Sequence, residues 1–297
     1  MMNTLQKSLA IAFLAVSIFV FGLNIEVFGA QDTAAEPAAS HRSDDPMLSR
    51  YLRFGKLTAQ DGLSSDQIRA VVQDKRGFMW FGTLEGLNRY DGASVKVYRY
   101  DPDDPNSLSH DVARSLLVDQ SGVLWIGTWN GGLNQYDREK DHFIRYLHDP
   151  DNSRSLSNNT VRVVYEDRDG KIWVGTSKGL NQLDRDSGQF TRYLHDPGDP
   201  NSLSDNIVWT VLQDSADVLW IGTEDGLNRF DPKTEQFIHY RHGPDDPTSL
   251  SHNAVRSIYE DRSGNLWFGT EGGLDKLNPK RTQVTSYRHD ANDHQSL

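Results

Sequence analysis

One phrase of twelve residues, written five times over, limits what this chain can fold into. Its clearest copy runs from Gly170 through Trp173, Gly175 and Thr176 to Asn181, and the others are built around Trp80, Trp125, Trp220 and Trp267. Successive tryptophans stand 45 to 48 residues apart. A period of that size marks stacked copies of one supersecondary unit, each too small to bury its apolar face alone. A β-solenoid is the competing repeat fold, but its coils run to about half this length or less.

Each unit reads as four short strands. In the third, Val161 to Asp167 is β-branched and apolar enough for a buried strand, and Arg168-Asp169-Gly170 is a turn. Ile172 to Ser177 is the second strand, in which Gly175 leaves room for a close neighbour. Leu180 to Asp184 is the third, and Gln189 to Leu194 alternates polar with apolar as a half-exposed outer strand does. Between units lie links rich in Asp and Pro, such as Asp101-Pro102-Asp103-Asp104-Pro105, through which no ladder can run. The expected fold is therefore all-β: a β-propeller of four-stranded antiparallel blades with five repeats visible. The recurrent indole supplies the large ring that packs one blade on the next.

The chain has no cysteine, so packed apolar surface must hold it together without disulfides or a thiolate metal site. A formal charge of -11 with no segregated basic run argues against nucleic acid as a partner. Near the start, Lys7 precedes an uninterrupted apolar run from Leu9 to Leu23. Its fifteen residues suit the core of a secretory signal better than a bilayer span. Residues 1–30 are thus expected to be a signal peptide or an N-terminal anchor through residues 9–23, and residues 31–50 a disordered spacer. Residues 51–297 carry the repeats.

The pattern Leu108-Ser109 to Asp119, Gly122 to Thr128 and Gly132-Leu133-Asn134 resembles the two-component regulator propeller repeat, and the resemblance covers everything after the spacer. It implies the periplasmic sensor part of a hybrid histidine kinase or a diguanylate cyclase, often responsive to carbohydrate. The signalling output would come from a partner chain or further sequence, because no kinase or cyclase segment is visible. Such sensors usually carry more than five blades, and here His294-Gln295-Ser296-Leu297 aligns with Pro105-Asn106-Ser107-Leu108, where a further unit is due. Tyr51-Leu52-Arg53-Phe54 aligns with an outer strand lacking its inner three. Both ends point to an incomplete ring.

Recognition on a propeller gathers near the axis, where the first strands run. Five residues before the Asp that ends each first strand stand Arg69, Arg114, Arg162, Trp209 and Arg256. Guanidinium groups capture carboxylate or sulfate, and an indole offers a flat face to a sugar ring. The alternative is scaffold duty, each Arg paired with Asp66, Asp111, Asn159, Asn206 or Asn253. Trp129 sits in a turn one residue longer than its counterparts and is either a binding platform or a packing residue. Together these six residues suit a small polar anionic ligand such as an acidic oligosaccharide. The link carboxylates read as Asx turns rather than a calcium loop. His148, His195, His242 and His289 fall in different blades, too far apart to share zinc. No catalytic group, cofactor or metal is expected. A propeller lyase remains the enzyme alternative, with His110 and His252 as its candidate bases although Ser65, Asn158 and Asp205 stand in equivalent places. A protein-binding scaffold and a homodimer also stay open.

Overall fold

The computed structural model describes residues 55–294, 296 and 297. The expected leader, the spacer and the strand at residues 51–54 lie outside the described residues. Twenty strands form five separate four-stranded antiparallel sheets, each ordered as the chain runs. The first is β1 (Ile68–Gln73), β2 (Met79–Thr83), β3 (Leu87–Tyr90) and β4 (Val95–Tyr98). The second is β5 (Ala113–Val118), β6 (Leu124–Thr128), β7 (Leu133–Asp137) and β8 (His142–Tyr146). Next come β9 (Val161–Glu166), β10 (Ile172–Thr176), β11 (Gly179–Leu183) and β12 (Phe190–Tyr193). The fourth sheet holds β13 (Val208–Gln213), β14 (Leu219–Thr223), β15 (Gly226–Asp231) and β16 (Gln236–Tyr240). The fifth holds β17 (Val255–Glu260), β18 (Leu266–Thr270), β19 (Gly273–Leu277) and β20 (Val284–Tyr287).

The first strands pack in sequence, β1 on β5, β5 on β9, β9 on β13 and β13 on β17. Among the described residues β17 and β1 make no comparable contact, so a seam separates the fifth blade from the first. The core is correspondingly a series of interfaces between blades. Trp80 of the first blade is buried against Leu108, Ala113, Leu124 and Ile126 of the second. Trp125, Trp173 and Trp220 repeat the arrangement against the next blade each time. Truncating such a ring to alanine costs about 3–5 kcal/mol. The close approach expected at Gly175 is real: a Cβ there would lie 2.6 Å from Val208 of the following blade.

Two polar devices recur beneath this packing. The Asp ending each first strand accepts the indole N–H six residues on, at 2.8 to 3.1 Å, in Asp74–Trp80, Asp119–Trp125, Asp167–Trp173, Asp214–Trp220 and Asp261–Trp267. Its second oxygen takes an amide of the intervening turn, for example Val123 N–H onto Asp119 at 2.8 Å. One carboxylate thereby satisfies a buried indole and closes the hairpin. The second device joins the Leu-Ser leader to the third strand: Asn181 accepts from the Ser157 amide at 2.8 Å and donates to the Ser157 hydroxyl and the Val174 carbonyl. Asn88, Asn134 and Asn228 do the same in their blades.

The links behave as Asx turns, with Asp101, Asp149 and Asp196 each accepting an amide two residues on. The histidine column holds these links in place. Nδ1 of His148, His195, His242 and His289 donates to the carbonyl of Leu156, Leu203, Leu250 and Leu297 respectively.

Candidate functional site

In every blade the ladder between first and second strands slips at one residue. Pairing jumps from Ile68 to Ala70, Ala113 to Ser115, Val161 to Val163, Val208 to Thr210 and Val255 to Ser257. The residues passed over are Arg69, Arg114, Arg162, Trp209 and Arg256. A bulge inserts an unpaired residue and re-aims its side chain. Here it turns all five toward one cavity of about 390 Å³, completed by Leu84, Val112 and Trp129. The structure thus brings together all six residues singled out from the sequence.

They do not play equal parts. Arg162 and Arg256 both lie 3.9 Å from the Trp209 ring centroid, a distance at which two guanidinium groups fit only on opposite faces. The indole N–H of Trp209 donates to Glu224 at 2.7 Å. Trp209 is therefore a spacer between cations, and the expectation of an open indole face for a sugar ring fails there because both faces are covered. Arg256 donates to Glu224 at 2.7 Å and is ion-paired with Glu271 as well. Its charge is met inside the protein, so it braces the wall. Arg162 donates from Nε to Ser177 at 3.1 Å.

Arg114 and Arg69 differ. Arg114 lies 5.2 Å from the Trp129 ring and 5.5 Å from Trp209. Among the described residues neither Arg114 nor Arg69 is ion-paired or hydrogen-bonded to a carboxylate. Burial, together with the guanidinium groups of Arg162, Arg69 and Arg256, pulls the pKa of Arg114 down to about 10. Burial and then Arg256 also lower Arg162, against an opposing pull from Glu224. Four guanidinium groups against two carboxylates, Glu224 and Glu271, leave the cavity with a surplus of two positive charges. Trp129 is 44% exposed, which leaves part of its ring open to a ligand beside Arg114.

The scaffold alternative for the arginines does not hold in the form expected. Asp66 accepts the Ala59 amide, Asp111 the Tyr100 amide, and Asn159, Asn206 and Asn253 the amides of His148, His195 and His242. These groups brace the backbone of the links, and among the described residues none of them is paired with an arginine of the column. The sequence reading missed Glu224, Glu271 and Ser177. All three directly follow the Gly-Thr pair, the same column as Trp129 and Leu84, and that shared position was the available signal. The bases of the lyase alternative are also committed. Nδ1 of His110 accepts the Val112 amide and that of His252 the Ala254 amide, both at 3.0 Å, the role Asn158 and Asp205 fill elsewhere.

Among the described residues no helix is long and apolar enough to cross a membrane. Five segments, residues 62–85, 107–130, 155–178, 202–225 and 249–272, match the two component regulator propeller family. A stretch of 55 residues is 44% identical to histidine kinase P4 of Formosa agariphila, covering 18% of this chain and 4% of the kinase. Among solved structures, the extracellular domain of the hybrid two component system BT3049 of B. thetaiotaomicron is 26% identical with a TM-score of 0.51. That alignment covers 82% of this chain and 37% of the other. The corresponding domain of BT4673 aligns with a TM-score of 0.53 at 23% identity over 78% of this chain and 34% of its own. PorZ, a surface component of the type-IX secretion system of Porphyromonas gingivalis, shares the fold with a TM-score of 0.57 at 15% identity over 76% of this chain and 34% of its own. The chain therefore spans little more than a third of the length of these solved relatives.

Proposed function

We propose that this chain of two-component regulator propeller repeats is the exported, ligand-binding part of a bacterial signalling system, and that its cavity binds a small anionic ligand. The observation that carries this reading is a desolvated guanidinium without a carboxylate, Arg114, beside a second one, Arg69, in a cavity with surplus positive charge. Desolvated like charges repel, and an anion placed between them converts that repulsion into charge-assisted hydrogen bonds. Trp129 extends an apolar surface next to this seat, so the fitting ligand joins a carboxylate or sulfate to a ring. A sugar acid or sulfated sugar has both. The propeller performs no chemistry in this scheme, and its output is carried by a partner chain or further sequence. The place of work is the periplasm, in keeping with the extracellular domains it resembles.

The test is calorimetric titration of the purified protein with sulfate, glucuronate, sulfated disaccharides and their neutral counterparts. Binding of the anionic members, weakened by salt and abolished in Arg69→Gln/Arg114→Gln with thermal stability retained, is the expected result. Equal binding of neutral sugars, or anion binding indifferent to both substitutions, would refute it.

A further inference from the structure

The third and fourth strands of a blade set two side chains opposite each other, on the face covered by the link that enters the blade. In the second and third blades the pair is Asn134 with Arg145 and Asn181 with Arg192, and in the fourth Asn228 with His239. The asparagine donates inward, to the serine of the Leu-Ser leader. Its partner donates outward, to the link backbone. Arg192 reaches the Ser155 carbonyl at 2.7 Å, Arg145 that of Ser107 at 3.0 Å and His239 that of Ser202 at 2.7 Å. In the first blade Val97 faces Asn88 and brings no polar atom that needs a partner.

The fifth blade changes both members at once. Asp275 stands in the place of the asparagine, and Ser286, opposite it in the register, in that of the arginine or histidine. Asp275 is fully buried; one oxygen accepts from the Ser251 amide and hydroxyl at 2.9 Å, and Oδ1 has no partner. Ser286 Oγ is buried without a partner as well, and among the described residues no other side-chain atom is orphaned in this way. More acceptors converge on the same place. Oδ1 takes the position from which Asn181 donates to the Val174 carbonyl, so it faces the equivalent carbonyl of Phe268 with no proton to give. The Ser249 carbonyl, counterpart of those of Ser155 and Ser202, receives no donor among the described residues, and Arg288 reaches the Ser251 carbonyl instead, at 3.5 Å.

An asparagine opposite an arginine leaves this place one unit positive, and an aspartate opposite a serine leaves it one unit negative. A buried carboxylate oxygen among carbonyls calls for a counter-charge, and two units of positive charge restore the balance of the second and third blades. We propose that the fifth blade holds a divalent metal ion of the calcium type, liganded by Asp275 Oδ1, Ser286 Oγ and the carbonyls of Ser249 and Phe268. Oxygen is the sole donor type there, which selects a hard cation, and one carboxylate with neutral oxygens in an irregular shell suits calcium better than magnesium. Among the described residues no three His, Asp or Glu gather as metal ligands, so the site has no motif in the sequence and shows only where strands and link meet. The ion does for the fifth blade what Arg192 does for the third: it fastens the outer strand to the link. That strand is otherwise less tied. The amides of Phe143, Phe190 and Phe237 donate to the link carbonyls of Asn106, Arg154 and Asn201, whereas among the described residues Val284 makes no such bond with Thr248.

The full chain, stripped with EDTA and returned to chelator-free buffer, is titrated with calcium chloride by calorimetry and melted with and without it, magnesium chloride serving as the comparison. A single calcium site per chain and a calcium-dependent rise in Tm are expected, with a weaker response to magnesium. In EDTA, Asp275→Asn should melt above the parent because the orphaned oxygen is gone; calcium should then raise the parent alone and narrow or reverse that gap. Asp275→Asn/Ser286→Arg rebuilds the pair of the third blade and should fold, yet bind no calcium at this place. Asp196→Asn, which alters the Asx turn of another link, should keep the full calcium response. A stripped parent that takes up no calcium, a Tm rise equal in parent and Asp275→Asn, or a response lost in Asp196→Asn would each overturn the proposal.

Discussion

Asp275 occupies the place of the conserved-in-repeat asparagine in the fifth blade, and replacing it should strengthen the fold. In the other blades that asparagine donates from Nδ2 to a serine hydroxyl and to the carbonyl opposite, as Asn181 does to Ser157 and Val174. Asp275 is fully buried and accepts from the Ser251 amide and hydroxyl through one oxygen, both at 2.9 Å. Its other oxygen has no partner. By register it lies opposite Phe268, whose carbonyl is also an acceptor and cannot satisfy it. A buried unsatisfied polar atom costs about 1–3 kcal/mol. Asp275→Asn restores the donor with one atom exchanged and no change of shape, so it should stabilise by roughly 2 kcal/mol. In a chain of this size that raises Tm by roughly 4–8 °C. The assay is thermal and urea unfolding followed by far-ultraviolet dichroism, paired with the reverse change Asn181→Asp, which should destabilise by a comparable amount. An Asp275→Asn protein that melts at or below the parent temperature would refute the argument.

Gly127→Ala places a methyl group 2.5 Å from Val161 of the next blade and should cost about 1–3 kcal/mol in urea unfolding. Asp119 and Asp214 should set the acid limit of the fold. Burial pushes both carboxyls up, but hydrogen bonds from Ser121 and Trp125 in the first case and from Trp220 and Val218 in the second outweigh it, leaving both below the ordinary value of 3.8. Because the folded pKa lies under the unfolded one, their stabilisation is complete above pH 3.8 and is lost as pH falls through the folded values. Trp220→Phe removes one donor and should move the acid-unfolding midpoint upward in a pH titration of dichroism. Arg114→Gln removes a desolvated charge that faces three others, so without ligand it should leave Tm unchanged or higher, while sulfate should raise the Tm of the parent protein more than that of the variant.

The fold was legible because its rule repeats. Five tryptophans 45 to 48 residues apart, with turns opened by an Asp before them and Asp- and Pro-rich links between units, state strand, turn and interface together, and the third blade's strands fall within a residue or two of where the sequence placed them. The polar wiring was not legible. Nothing in a single copy says that Asp167 reaches forward six residues to an indole while His148 reaches eight to a carbonyl, because these contacts close only when turns and links have folded. The link residues Asn159, Asn206 and Asn253 looked like arginine partners for the same reason: sequence shows a neighbour but not which amide arrives first.

The candidate site was legible in its positions and misread in its division of labour. A column that serves the scaffold keeps its residue, since every blade poses the same packing problem; Trp, Gly and Thr recur at each turn of the ring. The columns that line the cavity vary instead: four arginines and a tryptophan in one, then Leu84, Trp129, Ser177, Glu224 and Glu271 in the other. Each side chain there meets a different neighbour, and the variation is uneven around the ring. Both carboxylates fall in the fourth and fifth blades, where they bind Arg256 and the Trp209 indole. The first and second blades contribute Arg69 and Arg114 with no acid at all. Charge compensated on one side and left open on the other gives the cavity a polarity along which an anionic ligand must orient, its charged end toward Arg69 and Arg114. This polarity makes a specific demand: Glu224→Gln with Glu271→Gln removes both carboxylates from Arg256 and should create a second anion seat, so titration with sulfate should show binding strengthened or doubled in stoichiometry. Binding unchanged in that variant would mean the carboxylates do not set which arginines are available.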